Sequence, residues 1–240
     1  MAGPEPEERV PLPILHQSWR DVAFLHWPYD PATIAALLPR PFLPDLRDGA
    51  AWVTLTPFRI IRSHPPLLPP LPWLSTFPET NLRTYVTGPT GADGLWFYAL
   101  EVDSTLTTVG ARIGAGVPYH RADMHVEREG DRVCYLSERR GCRPGPGHRI
   151  VVEVEGPLPP QAVTDFDHWL TGRWRSWTRI AGRPATVPVR HQPWPLWRAA
   201  VVTLEETLLA AAGLPPPEAA PLVHFSPGVD VRLGVPRIHR

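Results

Sequence analysis

Proline is the residue that most limits how this chain can fold. The sequence has 33 prolines among 240 residues, and a proline cannot donate the backbone hydrogen bond that a helix interior or a central strand needs. Most prolines must therefore lie in loops and at strand edges. Because 43% of the residues are hydrophobic, the chain can still bury a sizeable core, and we expect a globular domain instead of a disordered chain.

Alternating apolar and polar residues predict that most of the regular structure is β-strand. Strands are predicted at residues 19–27, 50–61, 81–87, 95–104, 121–128, 131–139, 149–155, 185–192, 198–204 and 229–233. Helices are predicted at residues 30–38, at 104–114, from residue 165 to an expected end near 172, and through 208–209. This order of elements predicts an α+β domain dominated by strands, with helices packed outside the sheet or across one end. Residues 1–15 are predicted to be a flexible arm, and residues 16–240 a single domain.

The charge pattern excludes several kinds of partner. Acidic and basic residues are equal in number, 24 of each, and no run of arginines would follow a phosphate backbone, so nucleic acid is not expected as a partner. No segment approaches the ~20 apolar residues of a membrane helix, and the N-terminus lacks the apolar core of a signal peptide. We therefore expect a cytoplasmic protein that does not contact a membrane.

Metal and cofactor motifs are also missing from the sequence. The two cysteines, Cys134 and Cys142, are predicted to be free thiols because no further ligands occur at zinc-site spacing. A zinc site formed by His26, His120 and His125 is not expected, because no two of these histidines have a spacing specific to metal binding. No glycine-rich phosphate loop is present. We expect no metal and no cofactor.

The sequence contains no lysine, since all 24 of its basic residues are arginine. Drift towards GC-rich codons explains this composition as well as selection would. Under either cause, no lysine side chain is available to form an imine with a carbonyl substrate.

One candidate site follows from the segment FPETNLRTYV at residues 77–86. Strand alternation places Asn81, Arg83 and Tyr85 on one face, which is either exposed to solvent or part of a binding cavity. Glu79, at the start of this strand, is either a general acid or base, or a group that orients one. The alternative is that Glu79 is a surface turn residue or a partner for Arg83.

A second candidate site includes Tyr119 and His120, which can supply an oxyanion hydrogen bond and a proton shuttle. The alternative is that both residues only pack at a corner of the fold. Arg20 and Arg112 are candidates for binding a carboxylate in a bidentate manner, or else for internal ion pairs. Alternation from Arg20 predicts that His26 shares its face and reaches the same cavity.

The loop at residues 63–74, SHPPLLPPLPWL, is stiffened by proline and rich in leucine. We expect this loop to lie against the domain, because Leu67, Leu68, Leu71, Trp73 and Leu74 would otherwise be exposed. It is a candidate lid.

Several segments together resemble the YqjF-like family, a bacterial family with a domain of unknown function (2071). They are FLHWPYDPATIAALLP, DGAAWVTLTPF, FPETNLRTYV, GLWFYALEVDS, GVPYHRADM, HQPWPLW and VHFSPGVDV, and they cover roughly residues 17–236. This family is more distantly similar to acetoacetate decarboxylase. The resemblance implies a large antiparallel β-sheet rolled into a cone or barrel around a buried site, with short flanking helices, and it suggests a homo-oligomer.

The resemblance also implies which residues occupy the decarboxylase positions. The catalytic arginine falls on Arg20, the glutamate on Glu79, and the paired lysines on Tyr119 and His120; the helix arginine matches Arg112. The Schiff-base lysine is therefore replaced, and imine-dependent decarboxylation is not expected.

Two functions remain as hypotheses. The first is a lysine-independent acid-base enzyme of the lyase, hydratase or isomerase type, acting on a small oxo acid or carboxylate. The second is a module that binds an apolar or carboxylated metabolite without converting it. Both predict a small-molecule ligand in a cavity.

Overall fold

The computed structural model describes residue 10 and residues 12–71, 74–104 and 116–239. Within these residues the chain forms fourteen strands, three α-helices and one short 3-10 helix. The strands are β1 (Pro13–Tyr29), β2 (Leu43–Pro44), β3 (Leu46–Arg47), β4 (Ala50–His64), β5 (Phe77–Thr87), β6 (Asp93–Val102), β7 (Tyr119–Glu129), β8 (Arg132–Arg139), β9 (Gly147–Pro157), β10 (Arg175–Ile180), β11 (Arg183–Arg190), β12 (Trp197–Glu206), β13 (Leu222–Gly234) and β14 (Arg237–Ile238). The helices are α1 (Pro31–Leu37), α2 (Asp165–Thr171) and α3 (Leu208–Ala211), and the 3-10 helix is Pro160–Ala162.

All fourteen strands belong to one sheet, so the predicted strand-dominated α+β class is confirmed. The sheet is mixed and not purely antiparallel, since β6 pairs in parallel with both β7 and β10. A parallel pair needs a crossover connection of about a dozen residues or more. The connection from β6 to β7 has that length, and most of it, including the predicted helix at 104–114, lies outside the described residues.

The sheet closes on itself in a ring-like way. Two additional pairings, β11 with β13 and β5 with β6, produce two rings of strands that share β1, β4, β5, β6 and β13 as a common wall. The first ring continues through β7, β8, β9 and β12, and the second through β10 and β11. The shared strands therefore have both faces turned towards an interior.

The main hydrophobic core fills the first ring. It includes Leu25 on β1, Leu55 on β4, Leu82 on β5, Tyr135 on β8 and Ile150 on β9, all of them fully buried. Alternation along β5 then turns Glu79, Asn81 and Arg83 away from this core, towards the second ring.

Local sequence signals predicted helices α1 and α2. Asp30 caps α1 by accepting hydrogen bonds from Ala32 and Thr33, and α1 ends before the proline at position 39. Helix α2 begins with a capping box between Thr164 and Asp167 and ends at Gly172, as predicted. Strand β10 begins three residues after Gly172 and was missed by the sequence analysis.

Strand β1 begins at Pro13, so the last residues of the predicted N-terminal arm belong to the sheet. The helices in the described part of the chain are all too short, or insufficiently apolar, to span a membrane.

Candidate functional site

The second ring encloses a cavity of about 660 Å³. Its walls are mainly apolar and aromatic, with Trp19, Phe77, Leu95, Phe97, Leu100 and Trp194 among the lining residues. The polar lining residues include Glu79, Asn81, Arg83, Tyr119 and His191. An apolar cavity with a few convergent polar groups is typical of a small-molecule site.

The loop between β4 and β5 forms part of the cavity wall through Leu68, Leu71 and Leu74. These three leucines are nevertheless 47–59% exposed, so the expectation that packing against the domain buries them is not met. Leu67 is fully exposed, contrary to the prediction. Trp73 lies outside the described residues.

Glu79 is the central acidic group of the cavity. Its side chain is buried, and Tyr119 Oη donates a hydrogen bond to Glu79 Oε2 over 3.3 Å. Burial raises the pKa of Glu79 to about 8, although hydrogen bonds from Tyr119 and Asn81 act in the opposite direction. The carboxyl group is therefore largely protonated at neutral pH and can donate a proton to a ligand.

Arg83 is buried two positions further along the same face as Asn81. Its guanidinium lies over the Phe24 ring at 5.5 Å. Arg83 Nε and one terminal nitrogen have no hydrogen-bond partner in the described part of the chain, and Arg83 forms no ion pair there. A buried guanidinium with unpaired donors is costly for the empty protein and is well suited to bind a carboxylate.

His191 is the cavity residue that the sequence analysis missed. Its ring is buried against Trp174 and Trp194, at centroid distances of 4.6 and 4.7 Å. Nδ1 lies 2.5 Å from the carbonyl oxygen of Gln192. This contact assigns the proton to Nδ1 and leaves Nε2 as an acceptor. Burial and the nearby charge of Arg83 lower the pKa of His191 to about 4, so its ring is neutral at pH 7.

A sequence signal for His191 was available. The segment HQPWPLW was recognised as one of the family segments, and its first residue is this histidine. The segment gives no strand or helix position from which a cavity-facing side chain could be deduced.

Arg173 is a second buried arginine of the cavity. Its guanidinium pairs with Asp45 at 2.9 Å and with Asp93 at 2.8 Å. It also lies over the rings of Trp169 and Tyr85, at 4.5 and 4.9 Å. Because Arg173 already has two carboxylate partners, it stabilises the wall of the cavity, whereas Arg83 remains available to a ligand.

Tyr85 and His26 lie behind the cavity wall. Tyr85 Oη donates to the carbonyl oxygen of Leu170 at 2.6 Å and lies 2.7 Å from Thr54 Oγ1. His26 Nδ1 is 2.8 Å from the same hydroxyl, and its Nε2 is 3.2 Å from His224 Nδ1. Neither Tyr85 nor His26 lines the cavity, so both are placed to support its wall, one layer away from a ligand.

The predicted common face of Arg20 and His26 is not found. Asp21 has a positive φ of 49°, and the pairing of β1 with β4 shifts between Arg20 and Leu25. Alternation is interrupted at this bulge, so Trp19 lines the cavity. Arg20 is instead paired with Asp230 at 2.8 Å in an open groove beside the cavity.

The remaining candidate residues are distributed as follows. Tyr119 lines the cavity, whereas His120, the next residue of β7, does not. Arg112 lies outside the described residues. No group of three or more His, Cys, Asp or Glu side chains that could hold a metal ion occurs among residues 10, 12–71, 74–104 and 116–239.

The raised pKa of Glu79 predicts a pH-dependent stability. The folded protein holds a proton on Glu79 up to about pH 8, whereas the unfolded chain loses it near pH 4.5. This contribution to stability is complete below pH 4.5 and is lost as the pH rises towards 8, by about 1.4 kcal/mol per pH unit. We expect urea unfolding at pH 5, 6, 7 and 8 to show that the free energy of unfolding of the wild type falls by roughly 4 kcal/mol relative to that of Glu79→Gln over this interval.

The contributions of other titrating groups to the unfolding free energy cancel when wild type and Glu79→Gln are compared at the same pH, because both proteins contain these groups. A difference in unfolding free energy that stays constant from pH 5 to 8 would mean that Glu79 ionises normally in the folded state.

Residues 16–230 match the DUF2071 family, described as an uncharacterized conserved protein. The chain is 35% identical over 218 residues to the uncharacterized protein YqjF of Bacillus subtilis (strain 168), covering 91% of this chain and 89% of YqjF. Both findings confirm the resemblance drawn from the sequence segments.

Solved structures of the acetoacetate decarboxylase type have the same fold. Acetoacetate decarboxylase from Legionella pneumophila is similar with a TM-score of 0.68 and 13% identity, covering 97% of this chain and 90% of that chain. The enduracididine biosynthesis enzyme MppR, complexed with pyruvate, is similar with a TM-score of 0.66 and 15% identity, covering 97% and 92%. An acetoacetate decarboxylase-like enzyme from Sphingomonas wittichii RW1 has a TM-score of 0.64 and 13% identity, covering 98% and 96%. At these identities the likeness concerns the fold alone.

Proposed function

The chain belongs to the DUF2071 family, and we propose that it binds a small 2-oxo carboxylate in the cavity of the second ring and moves a proton on it without forming an imine. The proposal rests on the side chains of one face of strand β5. On it, a protonated buried carboxyl group, Glu79, lies four residues from a buried guanidinium with unpaired donors, Arg83. The two groups match the carbonyl and carboxylate ends of an oxo acid.

The carboxylate is assigned to Arg83. A planar guanidinium binds a carboxylate through two parallel hydrogen bonds, and the Nε and terminal N–H groups form one edge of such a fork. A bound anion would also compensate a buried positive charge that has no counter-ion in the described residues. The structurally similar MppR has pyruvate as a bound molecule, which makes pyruvate a suitable probe.

The proton transfer is assigned to Glu79 and His191. Glu79 donates its proton to the carbonyl oxygen of the ligand while Nε2 of neutral His191 accepts a proton from the adjacent carbon, so that an enol forms and charge remains balanced. Tyr119 orients the Glu79 carboxyl group through its hydrogen bond. General acids and bases of this kind each contribute about 10²- to 10⁴-fold to a rate.

Imine chemistry plays no part in this proposal because the sequence has no lysine. The position that the resemblance assigns to the paired lysines holds Tyr119 and His120, neither of which has an amine. Enolisation, hydration and dehydration need only acid-base groups and a hydrogen-bond donor to the developing oxyanion.

The proposal is tested by following pyruvate in deuterated buffer by NMR. We expect the protein to catalyse exchange of the methyl protons, and we expect pyruvamide, which lacks the carboxylate, to bind at least ten-fold more weakly and to exchange more slowly. Binding of pyruvate without exchange would overturn the catalytic proposal and select the binding-module hypothesis, which the apolar cavity walls also favour. If pyruvate and longer 2-oxo acids neither bind to the protein nor exchange protons on it, both hypotheses are overturned.

A further inference from the structure

A second concave surface lies beside the cavity. It is an open groove of about 790 Å³, and its lining includes the arginines Arg20, Arg62, Arg190 and Arg232 with a single carboxylate, Asp230. With histidines neutral, these side chains carry an excess of three positive charges. Charge of one sign concentrated in a concave surface attracts anions.

The sheet register places basic side chains directly beside one another in this groove. His64 on β4 is opposite His16 on β1, His16 is opposite Arg232 on β13, and Arg232 is opposite Arg190 on β11. Four strands thus present an uninterrupted row of His, His, Arg and Arg. Like charges at directly opposed positions destabilise a sheet, so the pair of Arg190 and Arg232 has a cost for the empty protein that a bound anion would offset.

The groove also has little internal charge compensation. Asp230 is already occupied, because its Oδ1 accepts from Arg20 at 2.8 Å and from Ser18 at 2.7 Å. Arg62, Arg190 and Arg232 are exposed, and none of them forms an ion pair with a residue in the described ranges. Arg62 has a positive φ of 54° at a shift in the pairing of β1 with β4. Bulges of this kind redirect side chains.

The groove and the cavity are continuous. Gln17, His64 and His191 belong to the lining of both. Gln192, next to His191, accepts a hydrogen bond from the backbone of Asp230 at 2.9 Å and so fixes the boundary between them. A ligand with its carboxylate on Arg83 would extend past His191 into the groove.

We propose that this groove binds a phosphate-type dianion, and that this group is the second end of the ligand whose oxo-acid end lies in the cavity. The second part rests on the proposed function, whereas the anion site itself does not. Arginine guanidinium groups favour phosphate oxygens because they form parallel hydrogen bonds with them. The substrate class is therefore an oxo acid that carries a phosphate or phosphonate group several bonds from its carboxylate.

The experiment compares straight-chain carboxylates with ω-phosphonocarboxylates of two to six methylenes, by titration calorimetry with the full chain. We expect at least one phosphonocarboxylate to bind ten-fold or more tightly than the carboxylate of equal length. The double variant Arg62→Gln/Arg232→Gln should no longer bind the phosphonocarboxylate more tightly than the carboxylate of equal length, and its affinity for the plain carboxylate should be unchanged. The matched control is Arg149→Gln/Arg198→Gln, which removes two exposed arginines of β9 and β12 outside the groove.

Binding of inorganic phosphate tests the anion site in the groove independently of the two-ended ligand. We expect it to bind wild type and Arg83→Gln equally, and to bind the groove double variant at least ten-fold more weakly. This pattern would persist even if pyruvate neither bound nor exchanged, so the failure of the proposed function is distinguishable. The proposal is overturned if no phosphonate binds more tightly than its carboxylate, or if the control variant loses as much affinity as the groove variant.

Discussion

Glu79→Gln is expected to lower the rate of pyruvate proton exchange at least 100-fold while pyruvate binding changes less than three-fold. Glutamine preserves the size of the side chain and a carbonyl oxygen that can accept the hydrogen bond from Tyr119, but its amide cannot transfer a proton to the ligand. Removal of a positioned general acid costs about 10²- to 10⁴-fold in rate. Exchange is measured by NMR and binding by calorimetry on the same preparation.

The pH profile of the exchange gives an independent readout. The active protein has protonated Glu79 and neutral His191, so the rate should fall above about pH 8, where Glu79 ionises, and below about pH 4, where His191 becomes charged. His191→Asn should remove the acidic limb of the profile, and Glu79→Gln the alkaline limb.

The control variant is Glu127→Gln, which changes an exposed glutamate on β7 in the same way. It should leave rate, binding and pH profile unchanged. If Glu79→Gln exchanges protons as fast as wild type, Glu79 is not the acid and the proposed mechanism is wrong.

The second prediction contrasts two of the buried arginines of the cavity, Arg173 and Arg83. Arg173→Met removes a guanidinium that is 1% exposed and leaves Asp45 without this partner, whereas Asp93 keeps Arg175 at 3.2 Å. Removing one member of a buried ion pair costs about 3–5 kcal/mol, and because these two aspartates are partly exposed we expect about 3 kcal/mol in the unfolding free energy measured with urea.

Arg83→Met should behave in the opposite way. No ion pair in the described residues is broken, and a buried charge with unpaired donors is replaced by an apolar side chain of similar length. We expect the unfolding free energy to change by less than about 1 kcal/mol or to increase. Pyruvate binding should weaken at least 30-fold, since the carboxylate loses its charged partner.

The same two variants therefore separate a stabilising arginine from a binding arginine. If Arg83→Met binds pyruvate as tightly as wild type, the carboxylate is not held by Arg83. If Arg173→Met is as stable as wild type, the two aspartates are compensated by other groups.

Residues 77–86 show how much of the site could be predicted. Alternation correctly placed Asn81, Arg83 and Tyr85 on one face and Leu82 on the other, because a strand of this length has a fixed period of two. The sequence left open whether the polar face met solvent or a cavity. Closure of the second ring by β10 and β11 decided this. Strand β10 was missed because its six residues begin only four positions after the end of helix α2.

Arg20 and His191 show where local reasoning fails. Asp21 has a left-handed backbone conformation, and as a result Trp19 lies on the inner face of β1 where alternation predicts Arg20. The residue type at position 21 does not indicate this conformation. His191 reaches the cavity from an irregular segment, where no periodicity predicts side-chain direction.

The sequence by itself determined the family, the strand-dominated class and the lack of a lysine side chain, since these follow from residue types and their local periodicity. Only the tertiary structure decided that Glu79, Tyr119, Arg83 and His191 share one cavity and that four basic residues form a row beside it. These groupings come from pairing between strands distant in the chain, and burial then sets the protonation of Glu79 and His191. Both effects depend on what surrounds a side chain, which its position in the sequence does not specify.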